Sequence, residues 1–214
     1  MPSPACLVEL RGVDVRAGAT TVLRGIDLEI AGGEAVGVFG ANGAGKTTLL
    51  RVIATLLEPS AGSGRVLGVA LDEPDRFDVR RRIGLIGHNP ALYPELTLRE
   101  NLRFVADVAG LPHGAVDTAL ETVGLAGSAD RLAAVCSYGM LRRAEFAREL
   151  MRSPDLLLLD EPHTALDPSA VELVTRVGRS VTARGGAVVV VSHDRDRVAS
   201  MVGRSAEVRD GALW

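Results

Sequence analysis

A glycine-rich segment near the start of the chain could bind phosphate. Residues 40–47 read Gly-Ala-Asn-Gly-Ala-Gly-Lys-Thr, which fits the pattern G-x-x-x-x-G-K-[ST]. The segment follows an apolar run, Ala35–Phe39, and precedes a predicted helix from Lys46 to about Leu57. Glycines let backbone N–H groups turn toward one centre, where the positive end of the helix adds to the attraction for α- and β-phosphates. We therefore predict that phosphate is bound by the loop residues Gly40, Ala41, Asn42, Gly43, Ala44 and Gly45.

The side chains that end this segment have distinct chemical roles. Lys46 is the only lysine among the 24 lysine and arginine residues of the chain. That usage indicates a place where a compact ammonium is needed and a planar guanidinium does not fit. We predict that Lys46 reaches the β- and γ-phosphates, that the Thr47 hydroxyl ligates Mg²⁺, and that Thr48 bonds the α-phosphate.

Two predicted buried strands each lead into polar residues. The strand Leu156–Asp160 ends in a carboxylate and is followed by Glu161, and Val188–Ser192 is followed by His193. Because the carboxyl ends of parallel strands meet at one edge of a sheet, these side chains are expected beside the phosphate loop. There Asp160 would orient Mg²⁺ or its waters, and Glu161 would polarise an attacking water as general base. His193 would donate a hydrogen bond to a γ-phosphate.

The overall composition excludes several classes of protein. The chain has 214 residues, of which 47% are hydrophobic and 24% charged, as in ordinary globular domains. A net charge of −3 argues against a nucleic-acid carrier. No apolar run approaches the ~20 residues that span a bilayer, and the first residues lack the pattern of a secretory signal. Two distant cysteines, Cys6 and Cys136, imply neither a disulfide framework nor a zinc site, and favour a reducing, cytosolic compartment.

The remaining pattern supplies the elements that must position these residues. Val22–Ile30 alternates like a half-exposed antiparallel strand, and Pro168–Ala183 reads as a helix with Asp167 as its N-cap. Continuous apolar strands alternating with helices predict a parallel sheet covered on both faces. Further predicted elements are strands at Leu7–Leu10, Arg65–Leu67 and Ile83–Ile86, a helix at Arg195–Val202, and a C-terminal hairpin across Asp210-Gly211.

Between the strands lies a block of helical character. From His88 to about Ala134 no convincing strand pattern occurs, and the capping box Thr97–Glu100 opens a helix to about Ala109. We interpret residues 88–153 as a helical subdomain within a single domain. Residues 1–87 and 154–214 would form the core and a β subdomain.

Several charged residues are interpreted as surface features without a role in the chemistry. Residues 80–82 form an arginine run typical of a solvated face, and His163 reads as a loop residue. The arginines that follow residue 139 are expected on a helix surface, paired with acids at helical spacing. These are Arg142, Arg143 and Arg148, with Glu145 and Glu149 as partners.

Taken together, the motifs resemble the ATP-binding subunit of ABC transporters over nearly the whole chain. The segment Cys136–Met140 resembles the family's signature, which is usually Leu-Ser-Gly-Gly-Gln. Ser137 and Gly139 are retained, whereas Tyr138 replaces the first glycine and Met140 the glutamine. Residues 164–167, ending in Asp167, are similar to the family's D-loop, and His193 is similar to its switch histidine.

Two positions depart from the family's pattern. The family usually has a glutamine after the strand that matches Ile83–Ile86, and His88 stands there. A neutral imidazole can still accept from a metal-bound water, so we expect His88 to keep a sensing role with altered chemistry. The aromatic residue that stacks on adenine is replaced by Ala17, which predicts weakened base selectivity.

The resemblance implies a fold and a working assembly. The fold would be α/β, a P-loop NTPase of the ABC ATPase type with a mixed parallel core sheet, an N-terminal antiparallel β subdomain and an inserted helical subdomain. The activity would be hydrolysis of ATP with Mg²⁺. Two ATPase subunits, identical or different, would close head to tail, with Ser137 and Gly139 of one facing the γ-phosphate held by the other. An integral membrane subunit would be the partner, at the cytoplasmic face of the membrane, and nucleic acid would not.

Two further segments bear on the cargo. The segments 88–93 and 161–167 resemble those of the ATPase of the haem exporter in cytochrome c maturation, which favours haem export. An ATPase of another small exporter, for drugs or polysaccharides, remains open. A non-transport ABC ATPase acting on DNA or ribosomes, and a P-loop kinase or GTPase, are further alternatives.

Overall fold

The strands of the chain form two sheets. Among residues 5–163 and 168–214, which the computed structural model describes, the strands are β1 (Cys6–Ala17), β2 (Thr20–Ala31), β3 (Ala35–Phe39), β4 (Ala61–Val66), β5 (Val69–Ala70), β6 (Ile83–Ile86), β7 (Leu156–Asp160), β8 (Ala187–Ser192), β9 (Arg204–Arg209) and β10 (Ala212–Leu213).

The smaller sheet is antiparallel and has the order β2-β1-β4-β5. On β2 the residues Leu23, Ile26, Leu28 and Ile30 are buried, as the alternating pattern predicted. Strand β1 is much longer than the predicted strand because an irregularity near Gly12, whose φ is 56°, lets the pairing continue past the polar interruption.

The larger sheet has the order β10-β9-β3-β8-β7-β6 and is parallel except for β10. Its strands β7 and β8 are buried along their whole length, as expected for a parallel sheet with both faces covered. The carboxyl ends of β3, β7 and β8 lie side by side at one edge. Residues directly after these strands are therefore brought together.

Helices occupy the segments between the strands. The helices of the described ranges are α1 (Lys46–Ile53), α2 (Leu98–Ala109), α3 (Gly114–Thr122), α4 (Tyr138–Arg152), α5 (Pro168–Ala183) and α6 (Arg195–Val198), with 3-10 turns at Pro74–Arg82, Ala126–Ser128 and Ala133–Val135. The capping box predicted for α2 is present: Thr97 and Glu100 each accept from the other's backbone N–H, and Gly110 ends the helix in the left-handed conformation. Within the described parts of the chain, no helix is long and apolar enough to cross a bilayer.

Two helices are shorter than predicted, each for a local reason. Helix α1 stops at Ile53 because Thr55 takes a φ of 60° and its hydroxyl accepts a hydrogen bond from Arg80 Nε at 3.0 Å. Helix α6 stops at Val198 because the chain turns back to the sheet, where the Gly203 N–H donates to the Ala35 carbonyl at 2.9 Å. Arg80 is therefore a structural contact, and the predicted solvated face at residues 80–82 is wrong at that position.

Apolar side chains form two cores on opposite faces of the larger sheet. One core joins the smaller sheet and α1 to one face, and includes Leu156 and Leu158 of β7. The other joins α2, α3, α4 and α5 to the opposite face, and includes Leu157 and Leu159. Successive residues of a strand point to opposite faces, so β7 belongs to both cores. Asp160, which ends β7, is thus supported from both sides.

Candidate functional site

The phosphate loop joins the end of β3 to the start of α1. Its glycines Gly40, Gly43 and Gly45 have φ of 151°, 80° and 109°, values that side-chain-bearing residues rarely adopt. A Cβ on Gly45 would also lie 2.7 Å from Leu23 Cδ2, and one on Gly40 would collide with the Val208 carbonyl. The loop geometry therefore requires glycine at these two positions for space as well as for conformation.

Lys46 points into this loop. Its side chain is buried, and Nζ donates to the carbonyl oxygens of Gly40 at 2.8 Å and Ala41 at 2.9 Å. A buried ammonium needs such partners, because an unpaired charge away from water is costly. The loop therefore holds a positive charge at its centre, where phosphate oxygens would be bound.

An oxygen pair lies next to the loop. The Thr47 hydroxyl donates to Asp160 Oδ2 at 2.9 Å, which joins the start of α1 to the end of β7. Asp160 is 5% exposed. A hydroxyl and a carboxylate oxygen at hydrogen-bond distance are the hard donors that Mg²⁺ prefers, so these two residues fit that ion.

Glu161 is held in one orientation by the residues that end β8. Its backbone takes a φ of 50°, and Oε1 accepts from the His193 N–H at 2.8 Å. His193 Nδ1 also lies 2.8 Å from Oε1, and the Ser192 hydroxyl donates to Oε2 at 3.0 Å. A left-handed backbone at a non-glycine residue is strained, and such strain is often found at functional sites. The carboxylate is thereby fixed beside Asp160.

These groups line one cavity of about 500 Å³, which we call the phosphate cavity. His88 lines it too, and so does Val22, which the motifs did not single out. The lining residues are Val22, Asn42, Gly43, Gly45, Lys46, Thr47, Thr48, His88, Asp160, Glu161 and His193. Ala41 and Ala44 line the adjoining groove of about 650 Å³ beside the C-terminal hairpin.

Of the other predicted site residues, Gly40 of the loop lines neither space, and Ser137 and Gly139 are not part of the cavity lining. Ser137 caps α4, its hydroxyl accepting from the Met140 N–H at 3.3 Å, and Gly139 lies in the first turn of that helix. Neither is among the residues of the phosphate cavity. Asp167 lies outside the described residues.

Comparison with known proteins settles the family. The family described as ABC transporter matches residues 23–164. The chain is an ABC transporter ATP-binding domain. The fold class predicted from the sequence is confirmed, and the family is that of an ATP-hydrolysing enzyme.

Individual relatives show the breadth of this ABC family. The chain is 36% identical over 215 residues to the methionine import ATP-binding protein MetN 2 of Paraburkholderia xenovorans (strain LB400), covering 94% of this chain but only 56% of that protein. It is 40% identical over 183 residues to the cytochrome c biogenesis ATP-binding export protein CcmA of Rhodopseudomonas palustris (strain BisB5), covering 86% of this chain and 90% of that protein. Both an import protein and an export protein are therefore similar to this ABC domain.

A solved structure is similar over almost the entire ABC domain. A dimeric ATP-binding cassette in a post-hydrolysis state, bound to ADP and phosphate, superposes with a TM-score of 0.86 and 26% identity. The match covers 96% of each chain.

Two arginines of α4 are not on the helix surface where they were predicted. Arg142 is fully buried and Arg148 is only 13% exposed, so the prediction of helix-surface charges is wrong for both. Helical spacing correctly predicted the pairs of Arg142 with Glu145 at 2.9 Å and of Arg148 with Glu145 at 3.9 Å. The shorter contact of Arg148, at 2.8 Å, is with its sequence neighbour Glu149, and both acids are buried as well. The spacing contained no information about the strand and loop that cover the two arginines.

His163 lies in a loop, as predicted, but it is not a surface residue. It is 3% exposed, and among the described residues neither ring nitrogen has a hydrogen-bond partner. Burial, together with the nearby Arg197 guanidinium, lowers the pKa of His163.

Proposed function

We propose that this ABC ATPase is the energy-supplying subunit of a transporter and uses the cavity beside the phosphate loop for hydrolysis of MgATP. The observation that carries the proposal is the fixed Glu161 carboxylate in the same cavity as Lys46 and Thr47. A cation, a magnesium-ligating pair and a base within one cavity suit phosphoryl transfer to water.

Each residue has a defined part in the proposed reaction. Lys46 and the loop N–H groups bind the phosphates, and His193 donates to the γ-phosphate. Glu161 accepts a proton from a water whose oxygen bonds to the γ-phosphorus, while the bond from that phosphorus to the bridging oxygen of ADP breaks. The products are ADP and phosphate, and the proton passes from Glu161 to solvent. Thr47 and Asp160 would hold Mg²⁺, which neutralises charge on the phosphates when bound.

Completion of the site requires a second subunit in this proposal. Ser137 and Gly139 begin α4 outside the phosphate cavity, where the helix offers free N–H groups and the positive end of its dipole. A head-to-tail pair would bring these groups to the γ-phosphate of the other subunit. The dimeric state of the similar cassette supports the pairing of two subunits.

The membrane partner is proposed to dock on the helical block. Phe104, Val108 and Leu111 line a groove of about 500 Å³, which Arg81, Arg148 and Arg152 also line. Phe104 and Val108 are 47% and 76% exposed, and Arg81 is exposed as well. Exposed apolar side chains beside a guanidinium suit an amphipathic cytoplasmic helix of a membrane subunit that carries an acidic residue. The ATPase would then be peripheral, at the cytoplasmic face of the membrane.

Haem export for cytochrome c biogenesis is our proposal for the transported cargo. The support is the relative named as an export protein of that process, matched over 90% of its length, and the resemblance of residues 88–93 and 161–167. Export of another small molecule, such as a drug or a polysaccharide, is the second candidate.

The test uses Glu161→Gln, which keeps the size of the side chain and removes the base. We expect binding of ATP to be retained, turnover to fall by about 10²–10⁴-fold, and a dimer to accumulate with MgATP. Lys46→Ala is the matched control, which should lose nucleotide binding and form no dimer. A Glu161→Gln protein with wild-type turnover, or a wild-type protein active strictly as a monomer, would refute the mechanism. Co-purification with a haem-transporting membrane subunit tests the cargo.

A further inference from the structure

Side chains of helix α4 donate hydrogen bonds to the loop that carries His88. The Tyr138 hydroxyl donates to the His88 carbonyl at 2.7 Å, and Arg142 Nη2 donates to the same carbonyl at 2.8 Å and to the Tyr138 hydroxyl at 2.6 Å. Arg142 Nη1 donates to the Gly87 carbonyl at 2.7 Å. Two side chains one helical turn apart therefore close a triangle of hydrogen bonds on one peptide carbonyl.

Further contacts fix both ends of the same loop. Glu145 Oε1 accepts from the Ala91 N–H at 3.0 Å, while its Oε2 accepts from Arg142 at 2.9 Å. Arg148 donates to the Leu85 carbonyl at 3.0 Å. The segment from Leu85 to Ala91 is thus attached to α4 along its length rather than at a single point.

This connection joins two parts of the proposed catalytic assembly. His88 lines the phosphate cavity, and Tyr138 lies directly after Ser137 at the start of α4. Tyr138 stands where the usual ABC signature has its first glycine, and glycine has no side chain that could reach His88. A chain with the usual signature could therefore not form this triangle.

We propose that Tyr138 is a positioning residue that, with Arg142, fixes the His88 backbone and so sets the place of its imidazole in the phosphate cavity. The Tyr138 hydroxyl acts through His88. This inference rests on the proposed ATPase mechanism.

Tyr138→Phe tests the proposal because it removes one hydroxyl and keeps the ring. We expect kcat for MgATP hydrolysis to fall about tenfold, the rate equivalent of one net hydrogen bond, with KM unchanged within about twofold. The matched control is Tyr93→Phe, the same change at the other of the two tyrosines, which is exposed and packs edge-on against Phe104. That control should keep wild-type kcat.

A double variant separates positioning from a merely structural role. In a His88→Ala background the imidazole is gone although the carbonyl stays, so Tyr138→Phe should lower kcat no further. Arg142→Lys, which cannot hold two carbonyls with one planar group, should behave like Tyr138→Phe.

Two results would overturn the inference: equal kcat for Tyr138→Phe and Tyr93→Phe, or multiplied losses in the double variant. A wild-type protein that does not hydrolyse MgATP would instead refute the proposed function.

Discussion

The buried pair of Arg142 and Glu145 allows a quantitative test of the packing beneath α4. Both side chains are fully buried, and the Glu145 carboxylate also accepts from the Ala91 N–H. Glu145→Ala would leave a buried guanidinium without its counter-charge and an N–H without its acceptor. Removal of one partner of a buried pair costs about 3–5 kcal/mol of unfolding free energy.

Replacement of both charges should be much less harmful. In Arg142→Met with Glu145→Leu, the desolvation of two charges is relieved. The Gly87 and His88 carbonyls then lose Arg142 as a donor and the Ala91 N–H loses Glu145 as an acceptor, at about 1 kcal/mol each, while the relieved desolvation returns about 1–4 kcal/mol. We expect the double variant to lie within about 2 kcal/mol of the wild type. Burial raises the pKa of Glu145 despite the nearby guanidinium groups, which agrees with a desolvation cost larger than the attraction.

Urea unfolding followed by circular dichroism measures both variants. With an m-value of about 3 kcal/mol/M, the Glu145→Ala midpoint should fall by about 1–1.7 M and the double variant by less than about 0.7 M. If the double variant unfolds at or below the midpoint of Glu145→Ala, the pair stabilises the fold outright and the reasoning fails. The double variant should also lower kcat at least tenfold while remaining folded, since the His88 loop loses its contacts with Arg142 and Glu145.

The other predictions concern His163 and Ala17. Because burial lowers the pKa of His163, the unfolded chain binds more protons than the folded one below about pH 6.5. The stabilising contribution of neutral His163 is therefore fully present above that pH, and it is lost as the pH falls through the pKa of the folded state. His163→Leu should flatten the dependence of the urea midpoint between pH 5 and 7, and an unchanged slope would show that the imidazole does not contribute. Ala17→Tyr should raise the preference for ATP over GTP about fivefold through ring stacking, measured by competition between the two nucleotides during hydrolysis. A wild type that already prefers ATP by orders of magnitude, with no effect of Ala17→Tyr, contradicts this.

The sequence predicted best those elements whose signals are local. Ala35–Phe39, Ile83–Ile86 and Leu156–Asp160 have the predicted bounds because each apolar run is bordered by residues that end strands. The phosphate loop was equally accessible, since its conformation depends on its own glycines and on the adjoining strand and helix.

Contacts between segments that are distant in the sequence could not be predicted in this way. Burial of Arg142 depends on the carbonyls of Gly87 and His88, which are supplied by a segment about fifty positions away. The hydrogen bond from the His193 N–H to Glu161 forms because β8 lies next to β7 in the sheet. That adjacency is a property of the strand order. Residue patterns can propose such neighbours only after a sheet order has been assumed. The end of α1 at Ile53 was missed for a similar reason, because Arg80 reaches Thr55 from another segment.

The double membership of β7 affects how disturbance spreads through this molecule. Its leucines are close-packed on both sides, and such interiors transmit strain because they cannot compress. Repacking of the helical core would shift Leu157 and Leu159, and repacking of the other core would shift Leu156 and Leu158. Asp160 follows these leucines on the same strand. We therefore expect repacking of either core to displace the carboxylate that is proposed to hold Mg²⁺.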